Sequence, residues 1–317
     1  MFQPGYINLY KTGKLLERIE KARGLLKQCQ ICPRRCKVNR LENKVGVCKV
    51  GRLPKVSSYN PHFGEELPLV GMRGSGTIFI TSCNLGCVFC QNYDISHLGE
   101  GYEISLERFA QMMIELQNMG CHNINFVTPT HIVPQILEAL LIAVRKGLKV
   151  PLVYNTGDYD LVETLQLLEG VFDIYMPDFK FSDGEVAARL CKARDYPQVA
   201  MKAIKEMHRQ VGDLVVDERG IAERGLIVRH LIMPNGLAGT RKVMQFLAQE
   251  ISSNTYVNIM DQYHPCGLAH TYSEINRRIS REEFDNALQI AKEEGIHRLD
   301  SETSYHLQYM FSKNVSI

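Results

Sequence analysis

Short apolar runs alternate with amphipathic stretches along this chain from about residue 75 onward. In six of these runs the residues that would point to either face of a strand are mostly apolar. The runs span residues 76–82, 123–129, 150–156, 172–180, 225–234 and 256–265. Strands that are buried on both faces of a parallel sheet have this pattern, whereas half-exposed strands alternate apolar and polar residues. The pattern therefore predicts six buried parallel strands.

Each stretch between these runs has the period of an amphipathic helix. The predicted helices cover residues 105–120, 133–147, 160–170, 241–251 and 280–295. Helix-end signals agree with them: Ser105 is an N-cap residue, Gly120 ends the same helix, and Ser280 with Glu283 forms a capping box. Six β-α units in succession predict a parallel α/β domain, and both a doubly wound sheet and an incomplete barrel fit.

Two segments depart from this alternation. Residues 181–224 are longer than an ordinary connection and contain a helical piece (197–212) and a predicted hairpin or loop (213–225). A connection of this length is either a lid or binding element or a surface decoration. Before the repeat, one amphipathic helix over about 13–28 leads into a cysteine-rich stretch.

Composition narrows the classes of function. The 317 residues are 45% hydrophobic, which is enough for a large core, and the net charge is +2. Because no basic or acidic block stands out, we expect no nucleic-acid or membrane partner. The first residues lack the apolar core of a signal peptide, and no apolar run approaches the ~20 residues that span a bilayer. We therefore expect a cytosolic, or cytoplasmic, protein.

Seven of the ten cysteines fall into two tight clusters. In an intracellular chain, clustered cysteines bind metal or carry out redox chemistry more often than they form disulfides. Cys83, Cys87 and Cys90 follow the first predicted strand directly, at the functional edge of a parallel α/β domain. A structural zinc site takes four ligands, so three thiolates indicate instead a 4Fe-4S cluster with one iron open to a non-protein ligand.

The spacing C-x3-C-x2-C after the first strand of a β-α repeat resembles the radical S-adenosylmethionine (SAM) superfamily. In that superfamily SAM binds the open iron, and an electron from the cluster cleaves it to a 5′-deoxyadenosyl radical that abstracts hydrogen from a substrate. The chain is most similar to an activating-enzyme-related family often called PflX. The motifs similar to those of pyruvate formate-lyase activating enzymes are CVFCQNYD (87–94), YNTGDY (154–159), MPDFK (176–180), IVRHLIMPNG (227–236) and YHP (263–265). The resemblance implies a partial (β/α)6 TIM-type barrel.

The resemblance also implies roles for particular residues. The three cysteines would ligate the cluster, and the backbone of Phe89 would contact the adenine of SAM. Asp178 and Lys180 lie on one face of the fourth predicted strand and would contact the ribose and carboxylate of SAM. The same two residues could instead form an ordinary surface ion pair.

Two further positions match the family's ligand contacts. Asn155, Thr156, the Met176 carbonyl and Asp178 match the place where activating enzymes hold a monovalent cation, although Asn155 stands where the family has an Asp. His264, at the end of the sixth predicted strand, matches a residue that contacts SAM, and could alternatively be a structural histidine.

The second predicted strand departs from the superfamily pattern. It ends VTPTH (127–131), whereas radical SAM enzymes commonly carry a GGE-like motif there that receives the SAM amino group. The hydroxyls of Thr128 and Thr130 could receive that group in place of the carboxylate. Both could equally be ordinary turn and cap residues.

The second cysteine cluster is Cys29, Cys32, Cys36 and Cys48. Four thiols fit a closed four-coordinate site. Three interpretations stay open: a second 4Fe-4S cluster that passes electrons to the first, a zinc site that staples a short segment, or thiols that oxidise in pairs.

Several other residues bear on the site. Arg229 lies in an apolar strand and either points into the barrel interior or is paired structurally. Glu65 and Glu66 precede the first predicted strand, and we expect them to brace the N-terminal segment rather than to edge the active site. Cys121 and Cys191 are expected to be buried small hydrophobic residues.

These observations predict an N-terminal helix and four-cysteine metal-binding segment (1–60), a radical SAM partial barrel (61–266) and a C-terminal helical extension (267–317). The leading hypothesis is a radical SAM oxidoreductase that abstracts hydrogen from a protein or peptide, such as a glycine in a partner enzyme. A low-potential donor of the flavodoxin or ferredoxin type would supply its electrons. The alternatives are a radical SAM enzyme acting on a small molecule or a nucleic-acid base, and an electron-transfer or sensor protein with two clusters.

Overall fold

A ten-stranded, mostly parallel sheet organises residues 2–300, which are the residues described by this computed structural model. The strands are β1 (Lys55–His62), β2 (Ser75–Ile80), β3 (Tyr102–Glu103), β4 (Ile124–Val127), β5 (Leu152–Thr156), β6 (Ile174–Pro177), β7 (Val215–Val216), β8 (Ala222–Leu231), β9 (Tyr256–Met260) and β10 (Arg298–Leu299). Their order is β10-β9-β8-β6-β5-β4-β2-β1-β3, with β7 paired to β8.

Ten helices accompany the strands in the described part of the chain. They are α1 (Gly5–Lys11), α2 (Lys14–Gly24), α3 (Leu67–Val70), α4 (Leu106–Asn118), α5 (Val133–Arg145), α6 (Val162–Leu167), α7 (Gly184–Cys191), α8 (Tyr196–Val211), α9 (Thr240–Phe246) and α10 (Arg281–Glu293). Short 3-10 and π turns complete the connections.

The six predicted strands are confirmed as β2, β4, β5, β6, β8 and β9, and each neighbouring pair among them is parallel. Their backbones are buried on both faces, as the continuous apolar runs require. The predicted hairpin is also present, since β7 pairs antiparallel with β8. The sequence prediction was too long at one end, because the sixth strand stops at Met260 rather than at 265.

Three strands were not predicted: the edge strand β1 and the two-residue strands β3 and β10. β1 runs antiparallel to β2 at the edge of the parallel sheet and begins inside the predicted N-terminal segment. Its sequence, KVSSYNPH, is mostly polar and only Val56 is buried. A strand that faces solvent along most of its length lacks the apolar run by which the others were found.

The sheet has a helical side and an inner side. Helices α4 and α8 pack on one face. On the other, which we call the inner face, the floor is an apolar cluster of Leu69, Val153, Ile174, Met176, Leu214, Ala222, Ile227 and Tyr256. Further along the same strands this face turns polar, because side chains at i and i+2 point the same way. The polar layer consists of Asn155, Asp178, Arg229 and Asn258.

The N-terminal segment docks on the rest of the fold. The Tyr6 hydroxyl donates to the Val150 carbonyl at 2.8 Å, and the Gly5 amide donates to Asp173 Oδ1 at 2.9 Å. A Cβ on Gly5 would lie 2.6 Å from the Gly170 carbonyl oxygen, so only glycine allows this approach.

The end of the described chain belongs to the same sheet. The predicted capping box is present at the start of α10, where Ser280 Oγ accepts from the Glu283 amide and the Glu283 carboxylate accepts from the Ser280 amide. β10 then pairs parallel with β9. Residues 301–317 of the predicted C-terminal helical extension lie outside the described residues. Within residues 2–300, no helix is long and apolar enough to cross a membrane.

Candidate functional site

The three-cysteine loop follows β2 at the carboxyl edge of the parallel sheet. Hydrogen-bond donors meet two of its sulfurs: the Leu85 amide lies 3.3 Å from Cys83 Sγ, and Ser96 Oγ lies 3.2 Å from Cys90 Sγ. Cys87 Sγ lies 3.2 Å from Cys191 Sγ. Donors aimed at sulfur are the arrangement that thiolate ligands of an iron–sulfur cluster use.

Burial is the main influence on two of these thiols. It raises the pKa of Cys83 to about 12 and also raises the pKa of Cys90, and the charge of Cys87 adds to both effects. The hydrogen bond with Cys191 is the first cause that raises the pKa of Cys87, and burial is the second. Buried thiols that disfavour one another's charge become thiolates when a metal cation balances them, so this set fits a metal cluster.

The loop is anchored by the backbone of its neighbours. The Gly86 amide donates to the Cys191 carbonyl at 3.1 Å, and the Val88 amide donates to the Leu190 carbonyl at 2.9 Å. The Asn84 side chain donates to the Tyr159 carbonyl at 2.7 Å. The cysteine positions are therefore fixed by α7 and by the loop after β5. Cys191 is fully buried, as expected, but it also contacts a candidate ligand.

A half-buried ion triad lies beside this loop, on the inner face. Lys180 Nζ and Arg229 Nε each lie 2.7 Å from Asp178, one on each carboxylate oxygen. Burial alone would raise the pKa of Asp178, but the charges of Arg229 and Lys180 outweigh it and hold that pKa below its usual range. The pair predicted from the D-x-K spacing is therefore an interior pair, not a surface one, and Arg229 both points inward and is paired.

Arg229 also reaches the positions expected around a monovalent cation. Its Nη2 donates to Asn155 Oδ1 at 2.7 Å. Thr156 Oγ1 instead donates to Asp160 Oδ2 at 2.6 Å. A guanidinium charge thus contacts Asn155 and Asp178 together.

The residues at the end of β4 belong to a hydroxyl network. Thr130 Oγ1 lies 3.0 Å from Thr156 Oγ1, which in turn bonds Asp160. Thr128 has a positive φ of 63°, which is unusual for a β-branched residue. His131 is buried with Nε2 3.1 Å from the Thr81 carbonyl, and burial lowers its pKa to about 3, so the imidazole is neutral.

Phe89 and His264, the two further residues expected to contact SAM, have different surroundings. The Phe89 ring is buried and packs edge-on against Phe181 and Tyr263, with centroids 5.7 Å and 6.2 Å away. His264 lies four residues beyond the end of β9, half-buried, with Nδ1 3.2 Å from the Gln262 carbonyl oxygen.

Asp158 was missed by the sequence reasoning. It lies two residues past β5, has φ of 63°, and is fully buried with no hydrogen-bond partner for either carboxylate oxygen among the described residues. Burial raises its pKa well above the usual range, Asp160 and Asp178 add to the effect, and Lys180 partly offsets it. An acidic residue just past a strand at the functional edge was the available signal. Orphaned buried carboxylates of this kind fit a site that awaits a cationic ligand.

Glu65 and Glu66 do not brace the N-terminal segment, which corrects the expectation for them. Glu65 Oε2 lies 3.4 Å from Arg229 Nη1, and Glu66 Oε1 accepts from Asn258 Nδ2 at 2.9 Å. Both side chains reach the polar layer of the inner face from the turn between β1 and α3. They line a cavity next to the ion triad.

The four N-terminal cysteines share one small cavity, which Arg34, Arg40, Asn84 and His131 also line. The Val47 amide donates to Cys36 Sγ at 3.4 Å. A Cβ on Gly46 would lie 2.6 Å from the same sulfur, so glycine is needed there. Burial raises the pKa of Cys32 to about 12 and also raises that of Cys48, where the Arg40 charge partly offsets it.

This second cluster of cysteines adjoins the first. Arg34 Nε donates to the carbonyl of Asn84 at 2.8 Å, and its guanidinium lies 5.1 Å from the centroid of the Tyr159 ring. Asn84 is the residue after Cys83, so Arg34 links the N-terminal cysteine segment to the loop that carries the first group of thiols. Within residues 2–300, no group of three or more His, Cys, Asp or Glu side chains is placed to hold a single metal ion.

Comparisons with known proteins place the middle of the chain in a family. A family model described as the radical SAM superfamily matches residues 77–221. An uncharacterized protein of Methanocaldococcus jannaschii is 36% identical over 296 residues, which cover 89% of this chain and 80% of that protein. Among solved structures, HydG, a maturase of the FeFe-hydrogenase, is similar over 92% of this chain and 64% of its own, with TM-score 0.47 and 12% identity. The matched family region contains the three-cysteine loop and the ion triad's Asp178 and Lys180, whereas the four N-terminal cysteines precede it.

Proposed function

Because the chain belongs to the radical SAM superfamily, whose members carry out SAM-dependent radical chemistry, we propose that it abstracts hydrogen from a protein or peptide substrate. When bound, the 4Fe-4S cluster and SAM supply the electron and the radical. The site assignment rests on the three clustered thiols at the carboxyl edge of β2, which are held between α7 and the loop after β5 beside the ion triad.

The chain's own residues have separable roles in this proposal. Cys83, Cys87 and Cys90 hold the cluster. Lys180 supplies a cation for the carboxylate of SAM while Asp178 fixes its position. The Phe89 backbone and His264 border the adenosine.

The departure at the end of β4 leaves the amino group of SAM to be received elsewhere. Thr130 is engaged with Thr156, and Thr128 lies on the same turn. Asp158 is a buried carboxylate without a partner in the described chain, adjacent to Asp178 and Lys180. We therefore assign the contact with the SAM ammonium to Asp158. The two threonines then belong to the hydroxyl network at the end of β4 and not to this contact.

The four N-terminal thiols are proposed as a second metal site. Their shared cavity and the Arg34 link to Asn84 favour an iron–sulfur cluster that exchanges electrons with the first, with zinc as the alternative. A donor of the flavodoxin or ferredoxin type would then reduce the protein. A monovalent cation beside Asn155 and Asp178 remains part of the proposal, although Arg229 already contacts both.

The proposed substrate is a glycine of a partner enzyme, by similarity to glycyl-radical activation. A small-molecule substrate is the second candidate, because a cavity of about 370 Å³ adjoins the ion triad. Substrate-dependent transfer of deuterium into 5′-deoxyadenosine identifies the molecule that loses hydrogen.

The test is spectroscopic and uses the full chain, purified and reconstituted without oxygen. We expect the EPR spectrum of the reduced cluster to shift when SAM is added, and Cys87→Ala to abolish both this SAM-induced shift and the formation of 5′-deoxyadenosine. Cys121→Ala is the matched control, since Cys121 is also buried but lies at the opposite end of the strands. A spectrum that SAM leaves unchanged would overturn the proposed function.

A further inference from the structure

A polar cavity opens on the inner face of the sheet, next to the ion triad. Its volume is about 370 Å³, within the range of small-molecule sites. Two elements build most of it: the turn after β1, residues 63–67, and the end of β9, residues 258–262. Arg229 of β8 forms the wall toward Asp178 and Lys180, so the cavity adjoins the site proposed for SAM.

The charged groups that line this cavity are mostly acidic. Arg229 is the one cationic side chain among its described lining residues, and four carboxylates line it: Glu65, Glu66, Asp261 and Asp300. Two of these have partners outside the lining, since Glu65 also pairs with His62 and Asp300 accepts from the Tyr256 hydroxyl. Arg229 is also shared with Asp178, which lies outside the cavity lining. One guanidinium is thus divided among Asp178, Glu65 and Glu66, so the lining around Glu66 stays acidic and favours a positively charged occupant.

Glu66 gives the cavity a specific binding point. The residue is 5% exposed, and its Oε1 accepts from Asn258 at 2.9 Å. Its Oε2 is buried without a hydrogen-bond partner among residues 2–300. The guanidinium of Arg229 does not pair with Oε2, since the 4.0 Å contact joins Arg229 Nε to Oε1. Buried carboxylate oxygens are normally paired, and an unpaired one that lines a cavity is a position where a ligand donor belongs.

The electrostatics of Glu66 agree with a missing cation. Burial raises the pKa of its carboxyl, and the neighbouring Glu65 adds to this, while Arg229 only partly offsets it. A ligand cation placed at Oε2 would supply the charge that the surroundings lack.

We infer that this cavity binds a positively charged nitrogen group of the substrate, an ammonium or guanidinium, which donates hydrogen bonds to Glu66 Oε2. The inference rests on the proposed function only in naming the occupant as the substrate. The shared chemistry fits both a lysine or arginine side chain of a peptide and a free amine. An anionic substrate is disfavoured because it would enter among four carboxylates.

Binding is measured by calorimetry on the anaerobically reconstituted full chain, with and without SAM. The cationic probes are 1,5-diaminopentane, arginine amide and a glycine-rich pentapeptide with one central lysine. The matched uncharged and anionic probes are the same pentapeptide with acetyl-lysine and with glutamate. We expect the cationic probes to bind at least tenfold more tightly than the matched ones. The amine and peptide arms show which source the cavity prefers.

Two variants separate a binding role from a structural one. Glu66→Gln keeps the shape and removes the charge, and we expect it to weaken cation binding at least tenfold. Glu66→Asp keeps the charge and should retain the preference for cationic probes at reduced affinity. Glu206→Gln is the matched control, because Glu206 is also a buried glutamate but pairs with Arg209 on the helical side.

The outcomes are distinguishable from those of the SAM test. Equal binding of acetyl-lysine and lysine peptides, no binding of any cationic probe, or unchanged binding in Glu66→Gln would overturn the inference, whatever the cluster does. Selective binding of cations by a protein whose EPR spectrum ignores SAM would instead uphold the cavity and remove the proposed reaction.

Discussion

Two residues at the candidate site have buried carboxylate oxygens that the described chain does not pair. Asp158 and Glu66 both have buried carboxylate oxygens without a partner in the described chain. Folded interiors seldom leave such groups unpaired, because an unsatisfied buried acceptor costs about 1–3 kcal/mol. Both residues lie beside the Lys180–Asp178–Arg229 triad, so the unpaired oxygens are concentrated at one place, where ligands are expected.

Asp158→Asn tests the assignment of the SAM ammonium. Asn tolerates the left-handed backbone at this position and keeps the size of the side chain, so the fold should persist. We expect SAM affinity to fall about tenfold or more, since one charge-assisted hydrogen bond contributes roughly 1.5–3 kcal/mol. Equilibrium dialysis with labelled SAM measures the change.

The thermal stability of the same variant provides the control. Since burial disfavours the ionised form of the Asp158 carboxyl and raises its pKa, replacing it by a neutral amide should leave Tm unchanged or raise it. Unchanged SAM affinity in a folded Asp158→Asn chain would return the ammonium contact to Thr128 and Thr130.

At the level of strands, the hydrophobic pattern predicts the six parallel strands. It predicts neither the edge strand β1 nor the turn that brings Glu65 and Glu66 to the inner face. The six apolar runs were sufficient because both faces of those strands are buried. β1 was missed because its polar side chains face solvent, although it carries Glu65 and Glu66 toward the inner face. The cysteine spacing is local and could be read directly. The environment of Glu66 could not, because it depends on Asn258, which is 192 positions away.

The contact between α1 and β6 gives a prediction about pH. Asp173, just before β6, accepts from the Gly5 amide, and burial raises its pKa to about 7. In the folded state Asp173 thus keeps its proton up to about pH 7. In the unfolded state it releases the proton near the ordinary aspartate pKa of about 3.9. The stabilisation from a raised carboxyl pKa is present at low pH and is lost as pH rises toward 7.

Asp173→Asn should remove this loss, because the amide oxygen can still accept from Gly5 and never ionises. Between pH 5 and pH 8 the variant should gain about 2–3 kcal/mol relative to the parent chain, which corresponds to roughly 5 °C in Tm. Differential scanning calorimetry at both values measures it. A Tm difference between the two chains that is the same at pH 5 and pH 8 would show that Asp173 is ionised throughout.

For the whole molecule, the two cysteine clusters link the N-terminal segment to the core of the fold. Arg34 joins the second cluster to the Asn84 carbonyl, and Arg40 donates to the His131 carbonyl at 2.7 Å. A metal at the second site would therefore hold in place the loop that presents Cys83. The two sites should hold separate metals but be structurally coupled.

Cys32→Ser tests this coupling, because a hydroxyl is a poor replacement for a buried thiolate ligand. If the second site holds a 4Fe-4S cluster, iron should fall from about eight to about four per chain, and if it holds zinc, about one zinc should be lost with iron unchanged. The SAM-induced EPR shift of the first cluster should persist. Tm should fall, since metal binding contributes folding free energy to a segment with little core of its own. Cys121→Ser controls for the loss of a buried thiol without a metal. Metal content that is identical in Cys32→Ser and the parent chain would leave the four thiols as a structural or redox cluster, and the electrons would then have to reach the first cluster directly from the donor.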